Sequence, residues 1–412
     1  MTNRWLLKFY GAALFSLPWV GVGVLRLATG RDWGWGLQPA WLFLALAMGW
    51  ALVAGIRDGS LVRQLGTLGK ERVPRGWIWG ATGVGIALVL SAAGLWMAPS
   101  GIPAPEAWAR YGKQVIQLGI MVAFVAWPAV WTHGAERWNW TIAVLLAGAV
   151  FQAAYGLVQA VAYYQAFPLF GWLDQLATSN PSILAGSRDL YLDGVMHAIP
   201  RLRGTMCEPL YLGSYLLFVL PLTLVAPWSR RWKLLTFLAL ALLLAATWSR
   251  GAWLAAGTAL LLGLILFRVR TGDGQGGDAV RGRWAKSLLW AGLVLVALLA
   301  LAGVLGWSGW RLPFVRIGQT FKREDWSNLT RLYSMQAGWR AFLLSPVWGI
   351  GWGQFGFHFP ALVDPLGLQS QFTWPVVNNF PLLILCETGL VGFLVFLGLL
   401  GRTGTRVFRS MR

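Results

Sequence analysis

KLLTFLALALLLAATWSRGAWLAAGTALLLGLILF, residues 233–267, decides the fold. Two apolar runs, 233–249 and 250–267, follow one another with almost no linker. Each is long enough to carry a helix across a hydrocarbon core about 30 Å thick. The chain must then reverse tightly at Ser249–Arg250–Gly251, where Gly251 tolerates unusual dihedrals. Arg250 sits at the junction of the two runs. It reads either as an interfacial anchor that snorkels to water or as a clamp on phosphate oxygens, which a planar guanidinium bonds bidentately.

Eight more runs flank this hairpin: roughly 5–27, 38–56, 77–97, 114–132, 140–163, 210–228, 287–307 and 380–401. Lipid offers a separate span no backbone partner except its own, so all ten are expected as helices. The fold class is therefore all-α, a polytopic membrane protein with about ten transmembrane helices. The whole composition agrees, at 57% hydrophobic and 12% charged residues with a mean hydropathy of +0.58. A soluble domain does not look like this. The first run resembles a signal peptide but exceeds the usual apolar length and lacks a small-x-small cleavage site, so it reads as a retained span.

The net charge of +19 suggests nucleic acid in a soluble protein. Here the positive-inside rule explains it, and no nucleic-acid partner is expected. Arg4, Lys8, Arg57, Arg63, Lys70, Arg72, Arg75, Arg137, Arg230, Arg231, Lys233, Arg268, Arg270, Arg281, Arg283, Lys286, Arg402, Arg406, Arg409 and Arg412 fall on one side. Only Arg26, Arg31, Arg110 and Lys113 occupy the short connections opposite. Both termini are expected in the cytoplasm, with the chain in the cytoplasmic membrane. The division runs 1–163 (N-terminal helices), 164–209 (external loop), 210–307 (central helices), 308–379 (large external loop) and 380–412 (last helix and basic tail).

Arg201, Arg203, Arg250 and Arg331 then share the outer side, away from most cations, and cations gathered there point to an anionic ligand. Glu208, followed by Pro209, is either a general base for a sugar hydroxyl or a salt-bridge partner of those arginines. Gly349-Ile350-Gly351-Trp352-Gly353 lets backbone approach a ligand, or simply turns the chain after Pro346. Leu332, Met335, Trp339, Phe342 and Leu343 recur at helical spacing and predict an amphipathic helix on the outer interface, flanked by Arg331 and Arg340. The 28 tryptophans read mostly as interfacial belts, with a minority available to stack on sugars. His133, His197 and His358 lack metal-ligand spacing, and 271–285 is a Gly-rich linker without a phosphate-loop pattern. Cys207 and Cys386 suggest no disulfide, since Cys386 lies in a predicted span.

Four motifs in series carry a resemblance. They are RLRGTMCEPL (201–210), TWSRGA (247–252), Arg331 followed by SPVWGIGWGQF (345–355), and NNFPLLILCETGLVG (378–392). Together they resemble the O-antigen ligase/polymerase family across about 201–400. The resemblance implies a GT-C-type membrane glycosyltransferase, inverting and independent of metal and cofactor. Its donor is a polyprenyl (undecaprenyl) diphosphate-linked oligosaccharide and its partner is a glycan acceptor. It implies diphosphate contacts at Arg201, Arg250 and Arg331, to which Arg203 is added as a neighbouring external cation; Glu208 and Arg250 are the candidate catalytic residues, and His358, Asn378 and Asn379 are candidate substrate contacts. The ligases carry His where this chain has Asn378, and the Glu208–Pro209 pair resembles the polymerase branch. The expected reaction is therefore polymerisation of O-antigen or exopolysaccharide repeat units, with ligation the alternative. A transporter would want ionisable groups at span midpoints; Glu387 is the exception among charges placed at span ends.

Overall fold

The computed structural model describes residues 4–31, 38–57, 75–99, 102–131, 135–165, 168–178, 200–270, 318, 326–363 and 375–411. The expected span 287–307, the linker 271–285, His133 and His197 lie outside these residues. In chain order the helices are α1 (Arg4–Phe15), α2 (Val24–Thr29), α3 (Pro39–Arg57), α4 (Arg75–Ser91), α5 (Ala104–Trp131), α6 (Ala135–Gln165), α7 (Pro168–Ala177), α8 (Pro209–Val219), α9 (Leu222–Val225), α10 (Arg230–Ala246), α11 (Arg250–Arg270), α12 (Trp326–Leu344), α13 (Phe355–Val363) and α14 (Phe380–Met411). A 3₁₀ segment, Ala92–Met97, extends α4. Among the described residues there is no strand. Among the described residues, four helical stretches are long and apolar enough to cross a membrane: Pro39–Arg57, Trp79–Met97, Ala135–Tyr163 and Phe380–Arg406.

Some runs that read as single spans are interrupted. The first helix ends at Phe15, and chain resumes as helix only at Val24, because Pro18 withholds an N–H there. Pro221 likewise separates α8 from α9. The hairpin at 247–250 also turns differently from expectation. Gly251 is already inside α11, and the left-handed residue is Trp248, with φ 51°. A bulky side chain in that region costs about 1–3 kcal/mol, so surrounding contacts must hold it there. The indole of Trp248 is 8% exposed and lies against Trp253, whose Nε1 donates to the Leu244 carbonyl at 3.2 Å.

The chain forms two compact units, Met1–Asp58 with Pro128–Gly318, and Gly59–Trp127 with Gln319–Arg412. The core of the first brings together Ile142, Leu146 and Ala149 of α6, Leu212, Leu216 and Val219 of α8, and Leu240 and Leu243 of α10. Their spacings of three and four put each set on one helix face. Inside lipid the hydrophobic effect does not drive helices together, so close packing must. Gly213 of α8 serves this: a Cβ there would stand 2.6 Å from the Cβ of Ala252, at the start of α11.

The core of the second unit holds Ala337, Ala341 and Phe342 of α12, Ile350, Phe355 and Phe359, Val377, and Cys386 of α14. The helix expected before Pro346 is there, but its apolar stripe is split. Phe342 is buried, while Leu332, Trp339 and Leu343 are exposed. The packed face is made of Ser334, Ala337, Gly338 and Ala341. Small residues win that face because a Cβ on Gly338 would already lie 3.0 Å from Val377.

Candidate functional site

Two expected arginines meet at one corner of the first unit. Arg250 is the first residue of α11 and is 5% exposed. The Ser249 carbonyl and hydroxyl accept from the N–H groups of Trp253 and Ala252, which starts the helix. Arg201 comes from a separate segment and docks on the same corner. Its Nε donates to the Thr247 carbonyl at 3.4 Å, and the next residue, Leu202, donates its N–H to Ala246 at 3.0 Å. The corner therefore presents two guanidinium groups beside the amino end of a 21-residue helix. A cation at a helix amino end is opposed by the helix dipole, whereas an anion is favoured. The electrostatics of the corner thus ask for a negative ligand.

Arg203 behaves differently. Its side chain is fully buried and ion-paired with Asp174 of α7. Its Nη1 donates to the Met206 carbonyl at 2.9 Å. Asp174 also accepts from the Tyr155 hydroxyl at 3.1 Å. Expected among the diphosphate contacts, Arg203 is instead engaged with its own loop and α7. The loop is gripped from a third direction by α6. Gln159 Oε1 accepts from the N–H groups of Arg203 and Gly204, at 3.0 and 3.1 Å, and Gln152 Oε1 accepts from that of Thr205 at 2.9 Å. Gly204 has φ +60°, and a Cβ there would lie 2.3 Å from Gln152 Oε1, so any other residue would be strained and would push Gln152 off the loop.

Glu208 ends this loop as the N-cap residue of α8, with Pro209 at the first helical position. Its side chain is exposed. Its carboxylate stands at a helix amino end, where negative charge is stabilised. The neighbouring Cys207 thiol is pushed up to about 11 by burial and by the Glu208 carboxylate, so it stays protonated at neutral pH and is no nucleophile.

The second unit holds the remaining expected residues. Arg331 is half-buried on α12, and its carbonyl accepts from the Ser334 hydroxyl at 2.9 Å. Ser334 Oγ in turn accepts from the Asn378 N–H at 3.2 Å, bringing Asn378 to within one turn of Arg331. The side chain of Asn378 is exposed. Asn379 caps α14: its Oδ1 accepts from the Leu382 N–H at 3.0 Å. His358, an expected substrate contact, is 3% exposed, and burial pushes its pKa down to about 4, so the ring is neutral.

The glycine run wraps a break in α14. Gly389 has φ 65° and ψ −168°, which interrupts the helix. The carbonyls of Cys386 and Glu387, freed by the break, accept from the N–H groups of Ile350 and Gly351, at 2.9 and 3.1 Å. The freed N–H of Leu390 donates to the Pro346 carbonyl at 2.8 Å. Glycine is obligatory on both sides: a Cβ on Gly349 would stand 2.3 Å from Glu387 backbone, and one on Gly389 2.2 Å from the Val347 carbonyl. The Glu387 carboxylate, 4% exposed, accepts from the Phe355 N–H at 3.2 Å and so caps α13. Of the two sequence readings of this run, the described geometry is a turn that completes another helix.

Sequence reasoning missed Gln152, Gln159 and Asp174. The signal for Asp174 was available, as a lone acid in the apolar helix PLFGWLDQLA. The glutamines carried no local signal.

Comparison with protein families now adds its result. Residues 234–397 match a family model described as O-Antigen ligase. The matched stretch is less than half of the chain, and over it the chain is similar to O-antigen ligases. The match supports assignment to the O-antigen ligase/polymerase family, and with the apolar helices it describes a multi-pass membrane protein. The matched stretch contains Arg250, Arg331, the glycine run, Asn378, Asn379 and Glu387; Arg201, Arg203 and Glu208 precede it. Comparison with curated proteins and with solved structures returns no match.

Proposed function

We propose that this chain polymerises polyprenyl-diphosphate-linked glycan repeat units at the outer face of the cytoplasmic membrane. The single observation that carries the reading is the convergence of Arg201 and Arg250 on the α10–α11 corner, at a helix amino end. The two guanidinium groups hold the diphosphate of the donor; Arg331, on α12 of the second unit, is a separate candidate for binding anionic substrate. Arg203 leaves the contact set because it is buried on Asp174, and His358 leaves it because it is buried and neutral. Asn378 remains a candidate sugar contact, whereas Asn379 serves as a cap. About ten spans, a GT-C-type architecture and cytoplasmic termini belong to the same proposal.

The chemistry follows from these positions. The acceptor hydroxyl attacks the anomeric carbon opposite the diphosphate. A carbon–oxygen bond forms to the acceptor as the bond to the diphosphate breaks, and the configuration inverts. The electron pair leaves with the polyprenyl diphosphate, where the arginines stabilise it; fixed charges of this kind are commonly the largest catalytic contribution. The hydroxyl proton passes to Glu208, an exposed carboxylate at the end of the arginine loop.

A second reading, ligation to a lipid core or another acceptor, is favoured by the description of the matching family. Arg250→Ala in the native host separates the two. Polymerisation predicts accumulation of single lipid-linked repeat units and loss of long glycan. Full-length glycan retained on its carrier selects ligation. Unchanged glycan, both made and transferred, ends the enzymatic reading.

A further inference from the structure

The loop that carries Arg201 and Glu208 is held by three side chains from α6 and α7. We propose that Gln152 and Gln159 of α6 and Asp174 of α7 are positioning residues that set this loop for glycan transfer and close a rival anion site within it. The inference rests on the reading of Arg201 and Arg250 as diphosphate ligands.

Three successive N–H groups, those of Arg203, Gly204 and Thr205, bend around left-handed Gly204. Successive N–H groups in such a turn form a concave cradle for anions. Left open, this cradle would compete for the diphosphate only two to four residues from Arg201. Here it is filled by two neutral oxygens. Gln159 Oε1 takes the first two N–H groups and Gln152 Oε1 takes the third. The glutamines stand seven residues apart, two turns on one face of α6, so a rigid helix meets the loop at two heights. Thr205 Oγ1 fixes the lower contact further, accepting from Gln152 Nε2 at 2.9 Å and donating to the Pro18 carbonyl at 3.0 Å.

The charge of Arg203 is treated in the same way. Asp174 pairs it, and Tyr155 orients Asp174 through its hydroxyl at 3.1 Å. A fully buried guanidinium two residues from Arg201 would otherwise draw the diphosphate inward. Asp174 cancels that pull, so the anion is left with Arg201 and Arg250. Glutamine at position 159 is used as an acceptor alone: its Nε2 is buried and has no hydrogen-bond partner. A carboxylate in its place would keep both accepted bonds.

The test uses the purified full-length chain in lipid vesicles, with lipid-linked repeat units from the host as donor and inorganic pyrophosphate as the binding probe. Gln159→Leu and Tyr155→Phe are compared with Gln159→Glu, each with its melting temperature. We expect Gln159→Leu to lower kcat roughly 10–100-fold, the scale set by small misplacements of reacting groups. Its pyrophosphate affinity should not weaken, because the opened cradle takes the anion. Gln159→Glu should restore turnover to within about threefold of wild type. Tyr155→Phe should lower kcat with KM and melting temperature unchanged, and it keeps the proposal exposed if the leucine variant folds poorly. Wild-type turnover in folded Gln159→Leu or in Tyr155→Phe overturns the proposal, as does a loss that merely follows melting temperature. Failure of the underlying reading looks different: Arg201→Ala and Arg250→Ala would then bind pyrophosphate as wild type does, whatever the glutamine variants show.

Discussion

The two units solve one problem, fixing an irregular segment against a helix, by opposite means. In the first, side chains from α6 and α7 reach out and take the N–H groups and the charge of the 201–208 loop. In the second, backbone meets backbone: the loop after Pro346 fills the gap in α14 directly. The side-chain solution keeps the loop at a distance set by glutamine length, which leaves Arg201 half-buried on the α10–α11 corner and Glu208 exposed. The backbone solution demands contact closer than any Cβ permits, so it needs glycine at Gly349 and Gly389, and it buries 349–351 and 386–389 while Val347, Trp348 and Leu390 stay exposed. One arrangement presents functional groups, and the other welds a helix together.

The sharpest way to break this contrast is Gly389→Ala. Its dihedrals are accessible to glycine alone, and the added carbon would sit 2.2 Å from the Val347 carbonyl. We expect more than about 4 kcal/mol of destabilisation, read as loss of folded protein after detergent extraction. Normal yield and melting temperature would show that the backbone weld is dispensable. Arg203→Ala tests the side-chain solution and should cost about 3 kcal/mol, because it strands the Asp174 carboxylate. The double variant with Asp174→Ala should recover part of that loss in thermal unfolding; strict additivity would deny the pairing.

A pH titration sharpens the second half of the comparison. His358 has a folded pKa near 4, against about 6.5 when unfolded. The unfolded chain therefore binds the proton first, and stability declines as pH falls from about 6.5 towards 4. Between pH 7 and pH 5 the loss is at most about 2 kcal/mol. Comparing wild type with His358→Gln in thermal melts at both pH values isolates it, and identical pH slopes would contradict the assignment. The smallest expected effect is Asn379→Ala, about 1 kcal/mol for a lost N-cap, measured the same way.

Much of the helical layout was legible because apolar runs of span length have one solution in lipid. The run 38–56 became Pro39–Arg57, and 140–163 fell within Ala135–Gln165. Interruptions inside runs were harder. Hydropathy counts side chains, and it passes over Pro18, Pro221 and Gly389, whose effects are on the backbone. The reversal at Trp248 was assigned to Gly251, since propensity favours glycine; packing of the indole against Trp253 overrides that preference. At the site, Arg201 and Arg250 were legible as misplaced cations. The distinction between them and Arg203 was not, because its decisive partner, Asp174, is 29 residues away on another helix. Gln152 and Gln159 lie 53 and 44 residues from the groups they bind, which no local pattern encodes.

The break in α14 also imposes an order on biosynthesis. Residues 346–353 leave the ribosome before 386–391, which hold the groups they must join. Until that later stretch arrives, Ile350 and Gly351 lack their native acceptors. A chain released anywhere short of Cys386 never gains those acceptors. α14 thus acts as a late check on a passage translated some forty codons before it.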